Sequence, residues 1–447
     1  MKITKYSSST IVIETEDIKI LCDPWIEDGE YYGSWFHDEE IDKDLAYREM
    51  STCDALYISH IHPDHLSEQT IKKLNIEDKT VYVHDFAENF LAKKLERMGF
   101  KKVIILSHGK KEIIKGNTKI AIYAADNCDP SICLKFYGCN YTTDQISKNS
   151  HQIDSCMVLS DNKHSLINLN DCMYQMMSNT IKKIKNDYSK IDMLLVNYNS
   201  AHAYPQCIKN YSDQEKITIA EEIKKKTLDK SESFIKDFNP IFFIPCAGEY
   251  ILGSRNFYMN KFFGVNSQDE CFNHFSQSKF KNQFVMLNYG ISFNLDNKIK
   301  PKYKIHDIKV LEKYYKKVSS AKLDYDELPI PDKDEIKSLA LTAFERLHKK
   351  ISLSKEKYDE IVYIKFFEEY IKLDLNTPSI GFINQVDRSN SEYIIINMNE
   401  KLLNQVLKGP RFAHWNNAEI GSHIIYERSN LEKFNYKVGN TLVYFHN

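Results

Sequence analysis

The sequence predicts an α/β chain in which two packed sheets carry helices on their outer faces, followed by a mixed segment of helices and strands. Three features predict it. Strand-like segments crowd the first part of the chain, near residues 9–14, 18–22 and 55–58. Short apolar strands at 193–196 and 241–244 then alternate with long amphipathic stretches. The texture changes near residue 300, where a basic run at 298–317 meets an acidic run at 324–335 with Pro329 and Pro331. Alternation of this kind lays helices against sheet faces. A chain of 447 residues exceeds one small core, so two domains are expected, 1–298 and 299–447.

The elements follow in order. Residues 9–14 alternate and pair with 18–22 around Glu16 and Asp17. Residues 27–49 read as an acidic, aromatic loop, and 55–58 as a buried strand. A helix over 67–74 has Ser67 as N-cap, and one over 87–98 stops at Gly99. Strands are expected at 81–83, 103–106, 119–124, 156–159 and 165–168. A helix runs from 171 to 188, and a longer one over 212–238 opens with the capping pair Ser212 and Glu215. Beyond the boundary, 335–350 and 355–371 read as helices, and 393–397 and 441–445 as strands.

Composition excludes several classes. Hydrophobic content of 42% and charged content of 27% suit an ordinary soluble protein. A net charge of -2 gives no basic surface for nucleic acid. No apolar run approaches the ~18 residues of a membrane span, and the start lacks the apolar core of a signal peptide. The ten cysteines are scattered without a CxxC pair, which predicts reduced, mostly buried thiols and a cytoplasmic location. The spacing of Cys128, Cys133 and Cys139 matches no common zinc knuckle.

The chemistry concentrates in ISHIHPDH, residues 58–65. His60, His62, Asp64 and His65 form HxHxDH directly after a buried strand. In an extended segment His60 and His62 point the same way, with Asp64 and His65 displaced along the loop. That set suits two adjacent divalent ions, zinc or iron, with manganese also compatible. The plain alternative is a polar loop with incidental histidines. His151, in SHQIDS, and Asp171, in NLNDC, extend the set, and a carboxylate at a strand end bridges two ions well. The second ion needs one more ligand, for which His202 and Glu249 compete; each also reads as a substrate contact. His84 and His164 read as merely exposed.

Asp64 and Asp171 are the candidates for steering a water activated between two ions, and Tyr198, Tyr204 or His202 for meeting a developing oxyanion. Trp25, in the aromatic loop 25–37, is placed to stack on a ring, or simply packs. Residues 409–423 gather Arg411, His414, Trp415, Asn416, Asn417 and Glu419, which either close a substrate pocket or cap an ordinary junction. The expected function is hydrolysis of an ester, amide or phosphodiester bond of a polar small molecule. A non-catalytic, metal-stabilised binding protein is the plain alternative.

HxHxDH, a later His and an Asp at a strand end resemble the signature of the metallo-β-lactamase superfamily, over about residues 1–295. The resemblance implies an αββα sandwich with metals at the sheet edge. Within that superfamily LCDPWI, YISHIHPDHLS, HQIDSCMVL, NLNDC, AYPQC and IPCAGEY are similar to the CMP-N-acetylneuraminic acid hydroxylase family and its bacterial relatives. That family implies a second reading, a non-heme iron oxygenase acting on a nucleotide-sugar or N-acyl substrate. It also carries a Rieske iron–sulfur domain held by CxH and CxxH pairs. Here no cysteine is followed two positions later by histidine, and Cys271 with His274 is a lone CxxH. The chain is therefore expected to start directly in the metallo-β-lactamase domain, and an oxygenase would need an external redox partner.

Overall fold

The structure, a computed structural model, describes residues 1–126, 153–352, 357–389, 392–431 and 437–447. Among the described residues, seven strands make the first sheet. Its order is Ile291–Asn294, Lys2–Lys5, Ile11–Glu14, Lys19–Cys22, Ala55–Tyr57, Thr80–His84 and Lys102–Leu106. Six make the second, in the order Phe242–Pro245, Met193–Val196, Ser165–Asn168, Ser155–Ser160, Thr118–Ala124 and Glu112–Lys115.

Strand periodicity sorts their side chains into three layers. Ile13, Ile20 and Tyr57 of the first sheet face Ile122, Met157, Leu166, Met193 and Ile244 of the second, in one buried core between the sheets. On the outer face of the first sheet, Val12, Leu21, Leu56 and Val81 meet Ala46, Met50, Ile71, Leu91 and Leu95 from helices. On the outer face of the second, Val158, Ile167, Leu194 and Phe243 meet Ile181, Leu228, Phe234, Ile235 and Phe275. The result is the expected helix–sheet–sheet–helix sandwich.

A third sheet, Ser379–Ile383, Glu369–Asp374, Glu360–Phe366, Glu392–Asn397 and Ile425–Arg428 in spatial order, comes from the C-terminal segment. Its core continues into Trp25, Tyr31, Trp35 and Tyr250 of the first segment. Tyr426 is stitched to the loop after Tyr204: its N–H donates to Cys207 O at 2.9 Å, and its carbonyl accepts from Lys209 N at 2.8 Å.

Four expectations are corrected. The helix read over 355–371 is a hairpin, Glu360–Phe366 with Glu369–Asp374. Val362, Ile364 and Phe366 alternate into the core, and Phe367 turns the chain at φ 48°. The strand read over 441–445 is instead the end of a helix, Lys437–Leu442, and a turn at 443–444. The acidic loop 27–49 contains a helix, Lys43–Ser51, whose Asp42 side chain caps Leu45 N. His84 is buried, not exposed, and burial pushes its imidazole down to about 3. By contrast the capping box of Asp213–Phe238 and the Ser67 cap form as expected. Cys22, Cys53, Cys156, Cys172, Cys207, Cys246 and Cys271 are buried free thiols. His151, Cys128, Cys133 and Cys139 lie outside the described residues.

Candidate metal centre

Parallel pairing puts the ends of Lys19–Cys22, Ala55–Tyr57 and Thr80–His84 on one edge of the first sheet. The end of Ser165–Asn168 meets that edge from the second sheet through a small polar lock. Tyr57 OH donates to Ser155 O at 3.0 Å, Ser155 Oγ donates to Ser59 O at 2.7 Å, and Asn170 Nδ2 lies 3.5 Å from Tyr57 OH. The lock carries Asp171 to the histidines.

Among the described residues, His60, His65 and Asp171 offer ligand atoms that all lie within 4.8 Å of one another. His65 Nε2 is 3.3 Å from Asp171 Oδ1 and 3.4 Å from Asp64 Oδ2, and His60 Nε2 is 3.9 Å from Asp171 Oδ2. His60 and His65 are buried, whereas the Asp171 side chain keeps 34% of its exposure, so the site opens at Asp171. His62 joins through its Nδ1, 2.9 Å from His60 Nε2, and its Nε2 donates to Asn416 Oδ1 at 3.1 Å.

Each ligand candidate has a support. Asp23, buried at the end of its strand, sits 2.9 Å from His65 Nδ1 and accepts from Ser59 N at 2.8 Å and Ser59 Oγ at 2.7 Å. A carboxylate behind an imidazole fixes the ring and leaves the other nitrogen for a metal. Tyr31 OH donates to Asp64 Oδ1 at 2.5 Å. Tyr31 and its neighbour Tyr32 hold left-handed backbone, φ 51° and 61°, which non-glycine residues adopt only when the surroundings impose it.

The electrostatics suit a cation. Burial, with His65 and His62 beside it, holds His60 well below its ordinary value, in the neutral form a ligand needs. Burial works against charge on His65 too, but Asp171, Asp64 and Asp23 outweigh it and hold His65 well above its ordinary value. Asp154 starts the Ser155 strand; burial and the nearby Asp171 push it up to about 7. His65 Nε2 is buried, facing two carboxylates. A buried nitrogen aimed at convergent carboxylates fits a divalent ion of zinc or iron type.

Neither His202 nor Glu249 belongs to this group of ligand atoms. His202 is half-buried, with Lys230 and the Tyr204 backbone acting on it, and burial pushes it down to about 4. Glu249 forms a buried ion pair with Lys5, and Tyr198 is buried beside it. Tyr204 OH lies 3.3 Å from Tyr211 OH. Trp25 is buried against Trp35 and His37. Trp415 is buried and donates to Phe445 O, His414 caps the Trp415–Ile420 helix, and Arg411 is exposed.

Sequence reasoning did not single out Asp23, Tyr31 or Asp154, and took Asn416 only as one of the hydrogen-bonding groups of residues 409–423. Asp23 had a signal, the DPW that ends a strand beside the motif. Asn416 comes from the C-terminal segment, which closes over the site in several places. Tyr32 OH accepts from His414 N at 2.7 Å, His423 Nε2 donates to Tyr31 O at 2.7 Å, and Trp35 Nε1 donates to Ile420 O at 3.2 Å.

Residues 2–179 match the family model described as a beta-lactamase superfamily domain. A putative Rieske 2Fe-2S iron-sulfur protein of Mycobacterium tuberculosis H37Rv is 22% identical over 248 residues, 56% of this chain and 44% of that protein. Cytidine monophosphate-N-acetylneuraminic acid hydroxylase of Asterias rubens is 23% identical over 258 residues, 56% of this chain and 35% of that one. The chain thus spans less than half the length of these curated relatives. Among solved structures, the isothiocyanate hydrolase from Delia radicum gut bacteria aligns with TM-score 0.45 and 12% identity, over 66% of this chain and 99% of that one. The diiron β-hydroxylase CmlA from Streptomyces venezuelae aligns with TM-score 0.43 and 11% identity, over 65% and 53%.

Proposed function

We propose, from the premise that residues 2–179 are a beta-lactamase superfamily domain, that the chain is a metal-dependent hydrolase of an ester, amide or phosphodiester bond in a polar small molecule. The observation that carries this reading is the convergence of His60, His65 and Asp171, with His65 Nε2 buried 3.3 Å from Asp171 Oδ1 and 3.4 Å from Asp64 Oδ2. His60, His65 and Asp171, joined by His62, Asp64 and His151, are the residues that would hold two divalent ions, zinc or iron, with manganese also compatible. Such ions supply a Lewis acid and a water acidic enough to lose its proton near neutrality.

The protein's own groups do the rest. Tyr31 fixes one oxygen of Asp64, leaving Oδ2 facing His65. Asp171, the open member, meets the incoming ligand and is the candidate to steer water and pass its proton. Trp35, stacked on Tyr250 with centroids 3.4 Å apart, packs against Tyr31, and Asn416 pins His62. The test is turnover of nitrophenyl ester, anilide and phosphodiester probes by the zinc-loaded chain, against Asp171→Ala. Hydrolysis that Asp171→Ala abolishes supports the reading; none with any probe or ion counts against it.

A second reading, a non-heme iron oxygenase fed by an external electron donor, is favoured by the relatives, which are named as hydroxylases and Rieske iron–sulfur proteins. Iron in the isolated chain, with oxygen consumed only when reductant and an N-acyl or nucleotide-sugar substrate are present, would select it.

A further inference from the structure

A pocket of about 190 Å³ lies beside Tyr250, lined by Asp38, Glu249, Tyr250, Phe263, Gln268 and Asp269, among others. Four of its lining residues are carboxylates, Asp38, Glu249, Asp269 and Glu270. Gln268 is buried; its Nε2 donates to Asp38 Oδ2 at 3.1 Å and Glu39 Oε1 at 3.3 Å, which fixes the amide's orientation. The opposite atom, Gln268 Oε1, is buried with no donor. The remaining carboxylates outnumber their cations. Lys5 pairs with Glu249, His306 bridges Glu39 at 3.2 Å and Asp269 at 2.9 Å, and Lys224 divides between Glu270 and Glu221. Asp38 is met by two neutral donors, Gln268 and Tyr289 OH at 2.7 Å. Of the helix that begins here, Gln268–Gln277, the first turn is already closed by its own Ser267–Glu270 capping box, and Asp269 adds charge against an anion.

We propose that this pocket binds a small organic cation, an aliphatic ammonium or guanidinium, with its charge against Asp38 and Gln268 Oε1 and its carbons against Tyr250, Phe263 and Tyr315. A buried acceptor without a donor is costly, and a ligand N–H repairs it. Aromatic faces suit both methylenes and a cation. A bare metal ion is disfavoured, because the ligand atoms close enough to hold one among the described residues are those of His60, His65 and Asp171. The volume falls below the ~300 Å³ at which pockets for drug-sized ligands begin, so the ligand is small.

The test is calorimetric titration of the full chain with 1,4-diaminobutane, beside butane-1,4-diol and magnesium chloride. Two variants separate charge from space: Asp38→Asn removes the unpaired carboxylate, and Val265→Phe fills the pocket. Saturable one-to-one diamine binding, weakened at least tenfold in Val265→Phe and in Asp38→Asn, with no heat from the diol, is the expected result. Should Asp38→Asn fail to fold, Val265→Phe decides alone. No diamine binding, equal binding of the diol, undiminished binding by the folded variants, or tighter binding of magnesium in this pocket would each overturn the proposal. None of these readouts depends on hydrolysis, and Val265→Phe separates the pocket from the metal centre: only magnesium binding that Val265→Phe weakens counts against the proposal.

Discussion

Replacing Tyr31 by Phe removes one hydroxyl and little else. The ring stays where it packs against Trp35, 4.4 Å between centroids, and Phe meets the same left-handed backbone cost as Tyr. What is lost is a 2.5 Å hydrogen bond to Asp64 Oδ1, between two buried groups. A bond to a charged acceptor is worth about 1.5–3 kcal/mol, and deleting one partner leaves the other oxygen unsatisfied. Supports of this kind change metal affinity by about 10–100-fold when removed. Competition between the chain and a calibrated chelator for zinc reads this directly, with thermal melting as the folding control. Zinc affinity in Tyr31→Phe within twofold of the wild type, while Asp171→Ala binds poorly, would refute the claim that Tyr31 positions a ligand.

Three further outcomes are expected from the same structure. His306 is held at about 9: burial opposes its charge, but Glu39 and Asp269 outweigh burial, so the folded value lies above the ordinary 6.5. Its contribution is complete below pH 6.5 and lost as pH rises through 9; urea midpoints of wild type and His306→Gln should converge over that window, and a gap unchanged by pH would contradict it. Lys5→Met leaves the buried Glu249 unpaired and should cost about 3–5 kcal/mol, much of it recovered in Lys5→Met with Glu249→Leu; urea unfolding in which the double variant is no more stable than the single one would count against this. Ser212→Ala breaks the exposed capping box of the longest helix and should lower stability by about 1 kcal/mol, read as a shift in the urea midpoint without a change in slope.

The parts legible from sequence were those encoded locally. HxHxDH packs its ligand chemistry into six positions, and Asp171 stands at a strand end where a carboxylate has few structural reasons to be. The sandwich was legible because buried strands and helices alternate with the right periods. The supports were not legible, because each reaches the site only through tertiary contact. Tyr31 lies 33 residues from Asp64, and Asn416 lies 354 from His62. No local pattern links them. The hairpin of Glu360–Phe366 and Glu369–Asp374 was misread because its turn, at Phe367, lacks the usual Asn-Gly signal and its apolar residues also satisfy helical spacing. His84 was misread because a histidine at a strand end gives no hint that Phe86 and His108 will cover it.

The central claim is that His60, His65 and Asp171 hold a metal that does chemistry. Elemental analysis of the folded chain, wild type beside Asp171→Ala, tests it most directly when the same samples are assayed for hydrolysis. The account predicts two divalent ions per chain in the wild type, and at least one lost together with activity in the variant. A folded wild-type chain that takes up no metal, or an Asp171→Ala chain that keeps both its metal and its activity, would contradict it.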